Sequence, residues 1–265
     1  MLINYCMNSW KDNVYFVLVE PKESGNIGAA ARAMKNMGFM KMRLINPPPE
    51  LTDEARWFAC NSVDVLESAE TFSDFRTAVS DISIVVGTSR RTGKRRGVIL
   101  PADKAASVII EKAKTGKVAI LFGREDRGLL NEEVDECGLL LTIPTSSEHR
   151  SLNLAQAVLI IAYELLKAGY NSADADVSTK KKIPPRMYES GQTGTRLVSH
   201  ADLGSLFERM TSVLRMLEYI PRGDRDLESK IMQNLKHFIS RAGLTDWELN
   251  MLHGILAQIE KKVGK

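Results

Sequence analysis

The chain has 265 residues, of which 44% are hydrophobic and 26% charged, and its formal net charge is +3. That length suits one core of about 150 to 170 residues with a smaller appendage, and no apolar run approaches the roughly 20 residues of a bilayer span. Cys6, Cys60 and Cys137 are odd in number and show no C-x-x-C spacing, which argues against a disulfide framework and a cysteine zinc site. The start, "MLINYCMNSWKDN", lacks a basic region followed by an apolar stretch, so no secretory signal is expected and a reducing cytoplasm fits.

Five short aliphatic runs closed by turn residues read as buried parallel strands: Val14 to Glu20, Lys41 to Pro47, Ile82 to Thr88, Lys117 to Gly123 and Gly138 to Pro144. Helical patterns fall between them, at Ile27 to Met37, Leu51 to Ala59, Thr71 to Ser80, Ala102 to Lys114 and Asn131 to Glu136. This alternation predicts a layered α/β fold with a mostly parallel sheet. A longer helix is expected from Leu152 to Lys167, ended by Gly169. Residues 171–199 are polar, contain "KKKIPP" and show no sustained period, so they read as a linker between a unit at 1–170 and another at 200–265. The last unit is purely helical. Leu203, Leu206, Phe207, Met210, Leu214 and Leu217 form one stripe, and a second helix covers Leu227 to Ser240. A third carries Leu249, Leu252, Ile255, Leu256 and Ile259 behind a Thr245 to Glu248 capping box.

The first strand-to-helix turn, "ESGNIGAAARAMKNMGF", has the look of a phosphate-binding loop. A dinucleotide fingerprint needs G-x-G-x-x-G and an acidic residue at the end of the second strand; here Gly25 and Gly28 lie three apart and the second strand closes on Asn46 and Pro47. A Walker loop needs Gly-Lys-Ser/Thr, which does not follow. Nicotinamide and nucleotide-triphosphate readings therefore fail. What remains is Asn26 near the helix start and Arg32 further on among alanines, either a surface arginine or a functional one.

Two later strands also end in polar turns. "LFGREDRGLLNEEV" places Gly123 and Glu125 after one, and "IPTSSEHRSLNLAQAV" delivers Ile143, Ser151 and Asn153 after the next. Ligands of open α/β sheets bind beyond the carboxyl ends of the strands, so these turns are candidates for one crevice. Plainer readings stand beside this: Ser151 and Asn153 suit a helix cap, and Glu125 suits a surface pair with Arg124 or Arg127. His149 has no partner in the pattern and is set aside as a loop residue. The run "SRRTGKRRG" gathers Arg90, Arg91, Lys94, Arg95 and Arg96 and suits phosphate contacts.

The trio "NIGAAAR", "FGREDRG" and "SLNLAQAV", in this order, resembles the three motifs of the SPOUT superfamily of RNA 2′-O-methyltransferases, in the TrmH family and closest to its TrmJ-type branch. "ARAMKNMGF", "VVGTS", "NEE", "AYE" and "LNMLHGILAQIE" extend the similarity over nearly the whole chain. The resemblance implies a trefoil-knotted SPOUT α/β domain with a small C-terminal all-α module, acting as a homodimer whose sites use both subunits. It implies S-adenosyl-L-methionine as cofactor, S-adenosyl-L-homocysteine as product, and no metal. The backbone of Thr88, Ser89, Arg90, Gly123, Ile143, Arg150, Ser151 and Leu152 would hold the cofactor. Arg32 would lie nearest the attacking hydroxyl, Asn26 would hold the substrate side, Glu125 would orient Arg32 or the loop, and Ser151 and Asn153 would shape the cofactor and ribose end. The basic run from Arg90 to Arg96 would grip RNA phosphates. The expected reaction is 2′-O-methylation of tRNA, at position 32 of the anticodon loop. Ribosomal RNA as substrate and a catalytically silent RNA-binding protein are the alternatives.

Overall fold

The computed structural model describes residues 10–49, 52–90, 99–146, 148, 151–178, 196–219 and 225–263. In chain order the elements are β1 (Val14–Val19), α1 (Ser24–Asn36), β2 (Lys41–Ile45), α2 (Asp53–Ala59), α3 (Val63–Glu67), β3 (Glu70–Phe72), α4 (Phe75–Val79), β4 (Ile84–Thr88) and β5 (Ile99–Pro101). They continue with α5 (Ala102–Ala113), β6 (Val118–Phe122), α6 (Asn131–Asp135), β7 (Leu139–Thr142), α7 (Leu154–Ser178), α8 (His200–Met216), α9 (Arg225–Ala242) and α10 (Asp246–Val263).

Seven strands form one sheet in the order β3-β2-β1-β6-β4-β7-β5, and every pairing is parallel. Both faces are covered, which explains why the central strands read as unbroken apolar runs. Along β1, Val14, Phe16 and Leu18 enter a core with α1, α5 and α7, while Tyr15, Val17 and Val19 enter a second core on the opposite face with α4 and α6. The five expected strands are present. β3 and β5 were not expected: each has three residues, too few to show a period, and each lies at an edge of the sheet. β3 takes the start of the helix expected from Thr71, which begins instead at Phe75 because the Asp74 carboxylate caps it through the Thr77 N–H at 2.9 Å.

The long helix also departs from expectation. α7 runs through Gly169 to Ser178, so the segment read as a linker begins as helix. Gly169 is no terminator, since a Cβ there would lie 2.9 Å from the Trp10 ring; the missing side chain makes room for that indole. The glycines of α1 serve a similar purpose. A Cβ on Gly28 would fall 2.0 Å from the Ala55 carbonyl oxygen, and one on Gly25 would fall 3.2 Å from the Phe58 ring. They seat α2 against α1.

One polar cluster is built into the second core. Arg43, 4% exposed, donates to the Ala78 carbonyl at 2.7 Å, to Asp81 at 2.6 Å and to Glu70 at 2.9 Å, with its guanidinium 4.4 Å from the Tyr15 ring centre. Lys117 reaches Asp81 at 2.6 Å. The hydrogen bond from Arg43, reinforced by Lys117, holds the Asp81 carboxyl far below its ordinary range. A depressed carboxylate contributes stability that is complete above about pH 5 and is lost as pH falls towards 2. Asp81→Asn should therefore flatten the decline in stability between pH 7 and pH 3, measured by denaturant unfolding. An unaltered decline would remove Asp81 from the acid response.

The three carboxyl-terminal helices share a core of Val198, Leu203, Leu206, Phe207, Met232 and Ile239, with Leu249, Leu252 and Leu256 packed on it. The capping box is formed, the Thr245 hydroxyl meeting the Glu248 carboxylate at 2.9 Å. Leu217 and Ile255, expected in the stripes, are 46% and 49% exposed and lie off the packed face. The unit docks where the strands begin: Leu197 N–H donates to the Thr115 carbonyl, His200 N–H to the Ile82 carbonyl, and α9 contacts β4 and β7. Among the described residues, a cleft lies at the opposite, carboxyl ends of the strands.

Candidate functional site

β6, β4 and β7 are neighbours in the sheet, so the turns that follow them open side by side. They line a cleft: Thr88, Ser89 and Arg90 after β4, Gly123 to Leu129 after β6, and Ile143, Thr145, Ser151 and Leu152 after β7. Leu129, Leu141, Ile143 and Leu154 give it an apolar wall, and the turns give it backbone polar groups. The turn after β6 doubles back tightly. Arg124 N–H donates to the Gly128 carbonyl at 3.2 Å and Gly128 N–H to the Arg124 carbonyl at 2.8 Å, while a Cβ on Gly123 would sit 2.1 Å from the Gly128 carbonyl carbon. Only glycine permits that approach at 123. A flat apolar ring and a short polar tail fit this donor set and this wall. Among the described residues no group of His, Cys, Asp and Glu could hold a metal ion.

Three of the residues singled out by sequence are joined to one another, and one of them, Glu125, lines the cleft. Asn26, in the first turn of α1, donates from Nδ2 to Glu125 Oε1 at 3.1 Å, and its Oδ1 accepts from Asn153 Nδ2 at 2.8 Å. The Asn153 Oδ1 in turn accepts from the Ala155 N–H at 2.9 Å, capping α7. The direction of this chain is fixed chemically. A carboxylate only accepts, so Asn26 must present its amide nitrogen to Glu125, which leaves its oxygen for Asn153 and turns the Asn153 oxygen to the helix. The capping reading of Asn153 is thus met, and the same side chain also bonds Asn26. Ser151 lines the cleft but does not cap α7, whose first residue is Leu154.

Glu125 does not form the surface pair considered from the sequence. Its two oxygens accept from the Lys22 backbone N–H at 3.3 and 3.2 Å, so it ties the end of β1 to the turn after β6. Arg127 pairs instead with Asp126 at 3.3 Å, and Lys22 Nζ reaches Asp126 at 2.8 Å. Chiefly through that Lys22 hydrogen bond, the Asp126 carboxyl is held down to about 2. Lys22 was missed by sequence reasoning because its contribution runs through a backbone N–H, which carries no side-chain signature.

Arg32 is the exception to the gathering. It is exposed on α1, six residues beyond Asn26, which in a helix places it about 9 Å along the axis and well round from the Asn26 face. Its Nη1 lies 3.4 Å from Cys60 Sγ, and Glu125 does not orient it. Cys60, at φ 49°, begins the turn after α2. The second described cysteine, Cys137, is buried, and burial pushes its thiol pKa far up, so it is inert at neutral pH. Arg90 lines the cleft; Arg91, Lys94, Arg95, Arg96, His149 and Arg150 lie outside the described residues.

Residues 13–163 match the model of the SpoU rRNA Methylase family, and residues 201–265 match that of the tRNA methyltransferase TrmJ, C-terminal domain. The chain belongs to the SpoU methylase family. Its fold is accordingly the SPOUT α/β fold, and its three carboxyl-terminal helices coincide with the TrmJ-type extension. The tRNA (cytidine/uridine-2′-O-)-methyltransferase TrmJ of Sodalis glossinidius is 33% identical over 248 residues, 94% of this chain and 91% of its own length. The tRNA (cytidine/uridine/adenosine-2′-O-)-methyltransferase TrmJ of Pseudomonas aeruginosa is 32% identical over 252 residues, 94% and 95% of the two chains. The crystal structure of TrmJ from Z. mobilis superposes with a TM-score of 0.71 at 28% identity, over 93% of this SpoU methylase and 98% of that chain.

Proposed function

We propose that this SpoU methylase transfers a methyl group from S-adenosyl-L-methionine to a ribose 2′-hydroxyl of tRNA, at position 32 of the anticodon loop. The observation that carries the reading is the Glu125–Asn26–Asn153 chain, whose Glu125 lines a three-turn cleft with an apolar wall. The cofactor supplies an electrophilic methyl on a sulfonium, so the protein has only to orient, exclude water and place charge. Backbone groups of Thr88, Ser89, Arg90, Gly123, Ile143, Ser151 and Leu152 would hold it, and Leu129 and Leu141 would supply an apolar wall. Arg150 remains part of this reading through its place in the last turn. Asn26 and Asn153, locked by their mutual bond, present a rigid polar edge to the incoming ribose.

Arg32 completes the reading through a second subunit. On its own chain it lies away from the Asn26 edge, so a homodimer in which Arg32 of one protomer faces the cleft of the other brings the two together. Exposed apolar side chains near both features support such a contact: Trp57 and Phe58 on α2, at 78% and 50%, and Leu159 and Tyr163 on α7, at 40% and 50%. The basic run from Arg90 to Arg96 would follow the RNA backbone, with affinity falling as salt rises. In this reading the catalytic unit spans 1–170, α7 runs on into the connecting segment 171–199, the helical unit covers 200–265, and the enzyme works in the cytoplasm, where Cys60 stays reduced.

The test is incubation with labelled S-adenosylmethionine and unmodified tRNA, with ribosomal RNA in parallel, followed by nuclease digestion and mass spectrometry. Label on a ribose of the anticodon loop is expected. Label confined to ribosomal RNA would keep the chemistry and replace the substrate. No label, with the cofactor bound, would favour the silent RNA-binding protein.

A further inference from the structure

α6 has five residues and is held at both ends. At its start, the Glu133 carboxylate accepts from both terminal guanidinium nitrogens of Arg124 at 3.0 Å and from the Leu130 N–H at 2.7 Å. Arg124 also donates from Nε to Glu20 at 2.7 Å, and the pair is almost sealed from water, with 6% and 10% of the two side chains exposed. Arg124 belongs to the doubled-back turn that lines the cleft, so this clamp fixes the turn to α6 and to the end of β1.

The other end of α6 is held by the carboxyl-terminal helices. Asp135 accepts from Gln233 of α9, and Glu136 lies 3.3 Å from Lys236 Nζ and 3.3 Å from His200 Nε2. Burial pushes the His200 imidazole pKa down, so Lys236 is the ionic partner of Glu136 at neutral pH. At Gly138, directly before β7, a Cβ would lie 2.7 Å from the Ser240 backbone of α9. β7 then leads straight to Ile143 on the other wall of the cleft. Two of the three turns at the cleft are therefore separated from α9 by one short helix and one short strand.

A sealed ion pair is a weak source of stability, because apolar side chains of the same volume are often as good or better. What the pair does supply is fixed geometry between two elements. We propose that α6 is a strut through which the carboxyl-terminal helices set the turn after β6, with Arg124 and Glu133 as positioning residues for the cofactor. This rests on the reading of the cleft as the S-adenosylmethionine site. Any ligand that shifts α9 would then alter cofactor affinity, and by thermodynamic reciprocity the cofactor would alter the affinity for that ligand by the same factor.

The test measures S-adenosylhomocysteine binding to the full chain by calorimetry, without RNA and well below the melting temperature. Gln233→Ala with Lys236→Ala, both remote from the cleft, should weaken binding about fivefold to tenfold. Combined with Arg124→Lys, the losses should fall short of the product of the separate effects, because both act through one strut. The reversed pair Glu136→Lys with Lys236→Glu should restore binding relative to Lys236→Glu alone, which a general loosening of the fold would not do. Unchanged affinity in the Gln233, Lys236 variant, or strictly multiplicative losses, would overturn the strut. Gly123→Ala separates the two readings. If it abolishes binding while the α9 variants leave it intact, the cleft stands and the strut falls; if it leaves binding intact, the cleft reading fails and takes the strut with it.

Discussion

Arg32→Ala is expected to lower methyl transfer to tRNA by about 10²- to 10³-fold, the loss typical of removing one charge-stabilising donor, while S-adenosylhomocysteine affinity stays within about twofold. A guanidinium carries donors and no acceptor site, so Arg32 is better suited to stabilising the alkoxide that develops as the ribose hydroxyl attacks than to taking its proton. Its planar fork can hold that oxygen and an adjacent phosphate in one fixed geometry, which the rotatable point charge of a lysine does less well. Arg32→Lys should accordingly recover only part of the rate. The contact with Cys60 is a long bond to a weak acceptor, and Cys60→Ala should change turnover little. Because Arg32 does not meet Asn26 on its own chain, mixing separately inactive Arg32→Ala and Asn153→Ala proteins should regenerate activity in mixed dimers, each with one intact site. Radiolabel transfer on single and mixed variants measures both points. Cofactor binding lost in parallel with turnover would refute the role of Arg32, and failure of the mixtures to recover would refute the shared site.

The layered fold was legible because its central strands are buried on both faces, and that leaves long aliphatic runs in the sequence. β3 and β5 were not, since three-residue edge strands owe their existence to a neighbour already in place. The continuation of α7 past Gly169 was hidden for another reason: a glycine that ends a helix and one that admits a neighbouring ring look alike until Trp10 is placed. At the site, the residue types Asn26, Glu125 and Asn153 stood out, but not their bonding to one another. They are 99 and 127 positions apart in pairs, and only the order β1-β6-β4-β7 brings their turns together. The same ordering explains the misread charges. Arg124 is adjacent to Glu125 in sequence, yet successive residues of a tight turn point apart, and Arg124 turns inward to Glu133 while Glu125 turns to α1.

The glycines of α1 provide the second strong prediction. Gly28→Ala would place a methyl carbon 2.0 Å from the Ala55 carbonyl oxygen, against an ordinary contact beyond 3.4 Å, and backbone cannot rotate away as a side chain can. α2 must therefore shift by roughly the missing distance, disturbing the packing of Ala55 and Ala59, both fully buried. Overpacking of this kind costs about 1 to 3 kcal/mol or more, against a gain of about 1 kcal/mol from alanine's better helix propensity. The steric term should win because the obstacle is main chain, and a net loss of up to about 2 kcal/mol corresponds to a melting temperature lower by up to about 8 °C for a chain of this size. Gly204 is the internal control. It lies inside α8 with nothing within 4 Å of a built Cβ, so Gly204→Ala gains propensity without a clash and should raise the melting temperature slightly. Opposite signs for one substitution type at two helical glycines, read by calorimetric melting, would establish that "SGNIGAAAR" is shaped by the approach of α2. A Gly28→Ala protein as stable as the parent would mean that α2 yields easily, and the tight glycine contact would lose its explanation.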